Sequence, residues 1–157
     1  MEIRFAERAD CPLILEFIRA LAEYEHMLDD VVATPKLLEE WLFDKQKAEV
    51  IFALEDGREV GFALFFHNFS TFLGRAGIYL EDLFVLPEYR GRGYGKGLLT
   101  ALAKLTVQRG CGRLEWACLN WNRPSIGFYL SMGAVPMNDW KVYRITGERL
   151  QELGEQD

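Results

Sequence analysis

The sequence predicts an α/β protein built on one mixed sheet (α+β), and three observations support this fold class. Short runs rich in β-branched and aromatic residues are interspersed with stretches whose apolar residues recur at helical spacing. The pair Asp56-Gly57 lies between two apolar runs, which is typical of a β-hairpin and therefore of antiparallel strands. Farther along, a strand, a helix and another strand follow one another, which favours a parallel crossover. We therefore expect the order β-α-α-β-β-β-α-β-α-β-β.

The first half of the chain is predicted to form a strand, two helices and a three-stranded meander. Asp10 is a suitable N-cap for the first helix, and Pro12 is tolerated near its start. Thr34 is likewise a suitable N-cap for the second helix, and Pro35 is tolerated at its first position. The predicted elements are a strand at 3–6, a helix from 13 to about 26, a helix from 34 to about 42, strands at 48–54, 59–67 and 78–86, and a loop at 68–77.

The second half of the chain begins with a glycine-rich turn from Arg90 to Gly97 and a helix that ends near Gln108. Gly110 suits the position just after that helix, where a left-handed residue is common. The remaining predicted elements are a strand at 113–119, a helix at 126–132, strands at 134–137 and 141–145, and a helical tail at 148–153. No repeat or linker divides the chain, so we expect one domain over residues 1–157.

Composition limits the classes of function. The net charge of -6 disfavours a general nucleic-acid-binding role, because phosphate backbones attract basic proteins. The three cysteines have no metal-type spacing, so we expect reduced thiols in a cytoplasmic protein and no metal. The N-terminus has no apolar signal region, and the apolar stretches are too short to span a bilayer. We expect neither nucleic acid nor membrane as a partner.

The turn from Arg90 to Gly97 has the features of an anion site. Glycine permits a positive φ and a close approach of ligand to backbone. The first N–H groups of the following helix lack internal partners and lie at the positive end of its dipole. Arg90 and Arg92 add positive charge beside the turn. This combination predicts a bound phosphate or pyrophosphate.

Two well-known phosphate motifs do not fit this turn. The dinucleotide motif G-x-G-x-x-G fails because Lys96 or Leu98 occupies its last glycine position. The P-loop fails because Arg90 and Gly97 stand where it needs glycine and serine or threonine. The pattern that remains is Arg-x-x-Gly-x-Gly, formed by Arg90, Gly93 and Gly95. On this pattern alone, a structural turn without a ligand remains an alternative.

The pattern, placed between a strand and a helix, resembles the GNAT superfamily of N-acetyltransferases, whose acyl-CoA N-acyltransferase fold has the element order predicted above. Three stretches are similar to its diamine, spermidine/spermine and thialysine branch. They are 21–25 (LAEYE), 79–91 (YLEDLFVLPEYRG) and 121–129 (WNRPSIGFY). The resemblance covers nearly the whole chain. It implies acetyl-CoA as cosubstrate and a homodimer.

Glu81 and Tyr129 are the candidate catalytic residues. Glu81 lies in an apolar strand, where partial desolvation would raise its pKa toward that of a useful base. The resemblance implies the same role, acting through a water, whereas a salt bridge at a strand edge is the alternative. It also implies a bulge that brings Asp82 to the same cleft. For Tyr129, packing against Phe128 is the simpler interpretation from the residues alone, but the resemblance implies an acid that protonates the leaving thiolate.

The resemblance also implies the binding residues. Those expected to contact acetyl-CoA are Leu83, Phe84, Val85, Arg90, Gly91, Arg92, Gly93, Tyr94, Gly95, Lys96, Asn122 and Ser125. Those expected to bind the amine are Tyr24, Glu25, Glu81 and Asp82. Asn122 also suits the N-cap of its helix, with Ser125 near the third helical position, and both interpretations are compatible.

The expected function is direct transfer of an acetyl group from acetyl-CoA to the primary amine of a polyamine, a diamine or a thialysine-like amino acid. Arg123 stands where polyamine-specific relatives tend to carry an acidic residue. This difference leaves thialysine-like amino acids and other small amines open as substrates. A protein or peptide N-acetyltransferase and a non-catalytic acyl-CoA-binding regulator are the alternatives.

Overall fold

A computed structural model describes residues 1–157 as two compact units, residues 1–117 and 118–157. The strands, all in the first unit, are β1 (Glu2–Phe5), β2 (Glu49–Glu55), β3 (Arg58–Ser70), β4 (Arg75–Val85) and β5 (Leu114–Trp116). The helices of this unit are α1 (Cys11–Tyr24), α2 (Pro35–Leu38) and α3 (Tyr94–Gln108). The second unit contains α4 (Arg123–Ser131) and α5 (Gly147–Gly154). A single domain over residues 1–157 stays a prediction.

The sheet has the order β1-β2-β3-β4-β5. Its first four strands are antiparallel, and β5 pairs in parallel with β4 after the crossover through α3. The hairpin between β2 and β3 turns at Asp56 and Gly57, both with positive φ. The mixed sheet, the hairpin and the parallel crossover are therefore confirmed.

Helices α1 and α3 cover opposite faces of the sheet. Phe17 of α1 is buried in a cluster with Phe52, Phe62 and Phe84, and its ring stacks on Phe62 with centroids 5.2 Å apart. A Cβ on Gly61, the neighbour of Phe62, would lie 3.2 Å from Leu98 of α3. Because neighbouring side chains of a strand point to opposite faces, α3 lies on the face away from α1.

The predicted loop at 68–77 is wrong, because both of its ends belong to the sheet. The register of β3 and β4 continues outward to Ser70 opposite Arg75, which leaves a turn at residues 71–74. Gly77 lies inside β4, where a Cβ would come within 2.6 Å of the Asn68 side chain and 3.0 Å of the Arg113 carbonyl. This glycine permits a close approach inside a strand, whereas the sequence suggested a loop residue.

Two further differences concern α2 and β5. The second helix continues beyond Leu38 as a π-helical turn, Glu39–Asp44. This turn exposes Trp41, and the Lys45 ammonium lies 4.0 Å from the centre of its ring. The strand predicted at 113–119 is limited to β5, whose pairing ends opposite Leu80 of β4.

The strands predicted at 134–137 and 141–145 are absent from the second unit. Their apolar side chains are exposed, including those of Val135, Val142 and Tyr143. Alternating side chains favour a strand only where a neighbour supplies hydrogen bonds to its backbone, and no strand lies in this unit. The helical tail is confirmed as α5.

Helix length bears on membrane insertion, because a helix that spans a bilayer needs about 20 apolar residues. The longest, α3, has 15 residues, and no helix combines the length and the apolar character needed to cross a membrane.

Candidate active site

A β-bulge in β4 sets the geometry of the candidate site. Leu64 of β3 pairs with Asp82 and the next residue, Phe65, pairs with Leu80, so Glu81 has no partner across the ladder. The extra residue changes the alternation of side chains. Asp82 therefore lies on the face covered by α1, whereas Leu80 lies on the face covered by α3. The bulge implied by the resemblance is confirmed.

Beyond the bulge, one edge of β4 is free of β5. On the β3 side, Leu83, Phe84 and Val85 pair with residues 61–63. On the other side, β5 pairs only with residues 78–80 of β4. The backbone from the bulge to Val85 thus has an edge to which β5 contributes no hydrogen bonds, and an extended ligand can pair with such an edge.

Three carboxylates interact electrostatically beside the bulge. Asp82 is half-buried; desolvation first, then the charges of Glu81 and Glu25, raise its pKa to about 7. Burial, followed by the charge of Glu81, also raises the pKa of Glu25, which caps the C-terminal end of α1. Glu81 itself is exposed. The desolvation expected for Glu81 is therefore wrong and applies to Asp82, because the bulge places Asp82 on the apolar face.

The glycine-rich turn ends at the N-terminus of α3. Gly93 is the N-cap with φ of 88°, and Gly91 has φ of 77°, so both adopt the left-handed conformation that favours glycine. No side chain caps the first turn of α3. Its first N–H groups therefore keep the capacity to bind an anion. The turn was predicted to extend to Gly97, whereas Tyr94, Gly95 and Lys96 already form the start of the helix.

Arg90 joins the turn to α1 and β4. Its Nε–H donates to the Val85 carbonyl over 3.2 Å. Its guanidinium lies 5.0 Å from the ring centre of Tyr24 and 5.2 Å from that of Phe84. Cation–π contacts of this kind stabilise the position of the charge. Three predicted cofactor residues and one predicted substrate residue thus lie together.

Arg92 and Tyr94, on either side of Gly93, both donate to one carboxylate at the end of β2. The Tyr94 hydroxyl donates to Glu55 Oε1 over 2.7 Å, and Arg92 Nη1 donates to both carboxylate oxygens over 3.2 and 3.3 Å. The Arg92 guanidinium also lies 5.3 Å from the ring centre of Tyr89. Glu55 was not predicted as a site residue. No local pattern marks it, because its partners lie 37 and 39 residues away along the chain.

Replacing Gly93 by alanine should lower the stability of the protein by about 1 kcal/mol, because a Cβ is strained at this left-handed position. Chemical denaturation without ligand measures the difference. Gly95→Ala is the matched control, since Gly95 is helical and the nearest atom to its Cβ would be 4.0 Å away. That control should keep its stability or gain up to about 0.5 kcal/mol. Equal losses in both variants would contradict the role of Gly93.

The second unit holds the other predicted residues on or beside α4. Asn122 is buried and is the N-cap position, although its side chain makes no capping hydrogen bond; Ser125 is the third helical residue. Tyr129 is half-buried, and its ring lies 5.4 Å from that of Phe128, centre to centre. The packing of Tyr129 on Phe128 is therefore present, and its role as an acid stays a prediction.

The first unit also contains a cavity of about 440 Å³ away from these residues. It lies between β1, the π-helical turn, β2 and β3, and its lining includes Phe5, Leu42, Lys47 and Phe66. No predicted site residue lines it. The candidate site is therefore defined by the bulge and the glycine-rich turn, where the interacting carboxylates and the left-handed glycines are found.

Several known proteins are similar to this chain in sequence or in structure over nearly its whole length. The model of the acetyltransferase (GNAT) family matches residues 14–134. Thialysine N-epsilon-acetyltransferase of Bos taurus is 36% identical over 96% of this chain and 95% of its own length. L-ornithine N5-acetyltransferase of Arabidopsis thaliana is 32% identical over 96% of this chain and 86% of its own. An integron cassette protein from V. cholerae has a TM-score of 0.82 at 28% identity, over 99% of this chain and 98% of that one.

Proposed function

Because the chain belongs to the acetyltransferase (GNAT) family and is an N-acetyltransferase, we propose that it transfers the acetyl group of acetyl-CoA to the primary amine of a small cationic substrate. The observation that carries this proposal is the group of three carboxylates, Glu25, Glu81 and Asp82, beside the end of β4 that leads into the glycine-rich turn. Several negative charges at one place favour a cationic substrate.

The preferred substrate class is a basic amino acid with a terminal amine. The names of two relatives specify thialysine and ornithine as their substrates. Arg123 adds a positive charge where polyamine-specific relatives tend to carry an acid, and it is exposed. Polyamines and diamines rank second, supported by 31% identity to the human spermidine/spermine N(1)-acetyltransferase-like protein 1, of which this chain spans 23%.

We propose that Glu81 and Asp82 remove the proton from the substrate ammonium group. Exposed Glu81 meets the incoming amine, through a water, and Asp82 can hold a proton because its pKa is about 7. The freed nitrogen then forms a bond to the acetyl carbonyl carbon, the bond from that carbon to sulfur breaks, and the nitrogen loses its second proton to solvent to give the neutral amide. Tyr24 and Glu25 bind the rest of the amine.

The turn and the free edge of β4 hold the cosubstrate in this proposal. Backbone groups of Leu83, Phe84 and Val85 pair with the extended arm of acetyl-CoA and stabilise negative charge on the carbonyl oxygen. Residues 90–96 bind the pyrophosphate, with Asn122 and Ser125 as further contacts. Tyr129 gives its hydroxyl proton to the leaving thiolate and regains one from solvent. The protein holds the two reactants close enough for direct attack.

A panel of amines tests the proposed function. The protein is incubated with acetyl-CoA and thialysine, ornithine, lysine, spermidine, putrescine or a histone-type peptide, and the release of thiol is followed. We expect the fastest release with thialysine or ornithine. Turnover on the peptide alone would favour a protein N-acetyltransferase, and acetyl-CoA binding without turnover on any amine would favour a non-catalytic regulator.

We also propose a homodimer in the cytoplasm, with no nucleic acid, membrane or metal partner. Exposed apolar side chains between Val135 and Ile145 would be covered by a second copy. The three cysteines are free thiols, which suits a reducing compartment. Sedimentation of the purified protein tests the dimer.

A further inference from the structure

Glu55 connects the β2–β3 hairpin to the candidate phosphate site. Its carboxylate accepts hydrogen bonds from Arg92 and Tyr94, the residues directly before and after the N-cap Gly93. The hydrogen bond from Tyr94 holds the pKa of Glu55 below its usual value, so the carboxylate is ionised at neutral pH. The same bond raises the pKa of Tyr94 to about 12. A fixed negative charge therefore lies beside the N-terminus of α3.

The surroundings of Glu55 explain why its charge matters there. The Arg92 guanidinium is shared between this carboxylate and the ring of Tyr89. The Arg58 side chain donates to the Tyr89 hydroxyl over 3.1 Å and not to the Glu55 carboxylate. Asp56, next in the hairpin, adds a second negative charge near Tyr94. Glu55 thus accepts from two of the side-chain donors beside the uncapped first turn of α3.

We propose that Glu55 competes with the phosphate groups of acetyl-CoA for Arg92 and Tyr94, and so weakens binding of the cosubstrate and speeds release of CoA. An incoming phosphate either displaces the Glu55 carboxylate from these donors or binds beside its negative charge. Both cases lower the affinity for an anion. The inference rests on the proposed function, because it assumes that the anion at the turn is that of acetyl-CoA.

Glu55→Gln tests the inference, since glutamine keeps an acceptor for Tyr94 and removes the charge. Calorimetric titration with CoA should show a dissociation constant about two- to fivefold lower than that of the unaltered protein, the range expected for an exposed charge pair. The difference should shrink as salt is added, because the charges are screened. Pantetheine, which has no phosphate, should bind both proteins equally.

Two control variants separate the contact from the change in net charge and from folding. Glu16→Gln removes the same charge from an exposed position on α1 and should leave CoA binding unchanged. In an Arg92→Gln background, Glu55→Gln should have a smaller effect, because one of the two contested donors is gone. Thermal unfolding of each variant without ligand checks that it is folded.

The outcomes distinguish this inference from the proposed function. If the unaltered protein binds CoA and Glu55→Gln binds it equally or more weakly, the competition by Glu55 is wrong and the proposed function stands. If the unaltered protein does not bind CoA, both are wrong. Tighter binding by Glu55→Gln that persists with pantetheine would also overturn the inference, because the phosphates would not be involved.

Discussion

Replacing Tyr129 by phenylalanine should lower kcat by about 10²- to 10³-fold, the effect expected when a general acid is lost. The substitution removes only the hydroxyl group and keeps the ring that packs beside Phe128. The dissociation constant of CoA should change little, because the proton is needed only when the thiolate leaves. Steady-state kinetics with a thialysine-type amine and calorimetric titration with CoA measure the two quantities.

Tyr143→Phe is the matched control for this variant. Tyr143 belongs to the same unit and has no proposed role in the chemistry, and the substitution keeps the ring that a second copy would cover, so loss of its hydroxyl should leave kcat unchanged. An unchanged kcat in Tyr129→Phe would show that Tyr129 is a packing residue and that another group protonates the thiolate. A parallel rise in the dissociation constant of CoA would indicate a binding role instead.

The value of kcat/KM should rise with pH through about 7, and Asp82→Asn should abolish this rise. The pKa of Asp82 is raised to about 7 because the carboxyl is desolvated and faces the charges of Glu81 and Glu25. A carboxyl that accepts a proton must be ionised, so activity is present above this pKa and lost as the pH falls through it. At pH 8, Asp82→Asn should lower kcat/KM by about 10²-fold.

Glu25→Gln and Glu81→Gln test the cause of the raised pKa. Each removes a negative charge that disfavours ionisation of Asp82, so each should move the rise in kcat/KM to lower pH. Glu81→Gln should also lower kcat by about 10²-fold, because Glu81 meets the amine. A rise that stays near pH 7 in Asp82→Asn would assign it to another group.

Stability provides an independent check on Asp82. Its folded-state pKa is raised from 3.8, so the folded protein disfavours the ionised form. The free energy of unfolding contributed by this group therefore falls as the pH rises from about 4 to about 7. Urea denaturation measures the free energy of unfolding of Asp82→Asn and of the unaltered protein at pH 4 and at pH 8. The free energy of unfolding of the variant minus that of the unaltered protein should be larger at pH 8 than at pH 4. The opposite sign would contradict the burial of this carboxyl.

Local patterns predicted most of the sheet and failed where partners in space decide the structure. The hairpin at Asp56-Gly57 and the helix that follows the glycine-rich turn depend on backbone preferences of glycine and its neighbours, and both are confirmed, although the helix begins at Tyr94 and not after Gly97. The strands expected at 134–137 and 141–145 depend on a neighbouring strand that the second unit does not contain. The sequence suggested a loop around Gly77, although this glycine marks a close approach within β4.

In the candidate site too, local patterns predicted some features, and contacts between distant parts of the chain decided the others. The resemblance predicts the bulge and the residues around it. The apolar neighbours of Glu81 in the sequence favour desolvation of that carboxyl, because the sequence does not show which of the two adjacent carboxyls faces α1. The register places Asp82 opposite Leu64 and thereby decides the question. Glu55 could not be found, since its link to Arg92 and Tyr94 depends on how the hairpin packs against the turn.

Recovery of a labelled acetyl group on the amine nitrogen tests the central claim most directly. The protein is given acetyl-CoA labelled with ¹³C in the acetyl group together with thialysine or ornithine, and the products are analysed by mass spectrometry. We predict one labelled N-acetyl product for each CoA released, with the label on the terminal amine and none on the protein. Release of CoA with labelled acetate, or with no labelled amine, would contradict the proposed transfer.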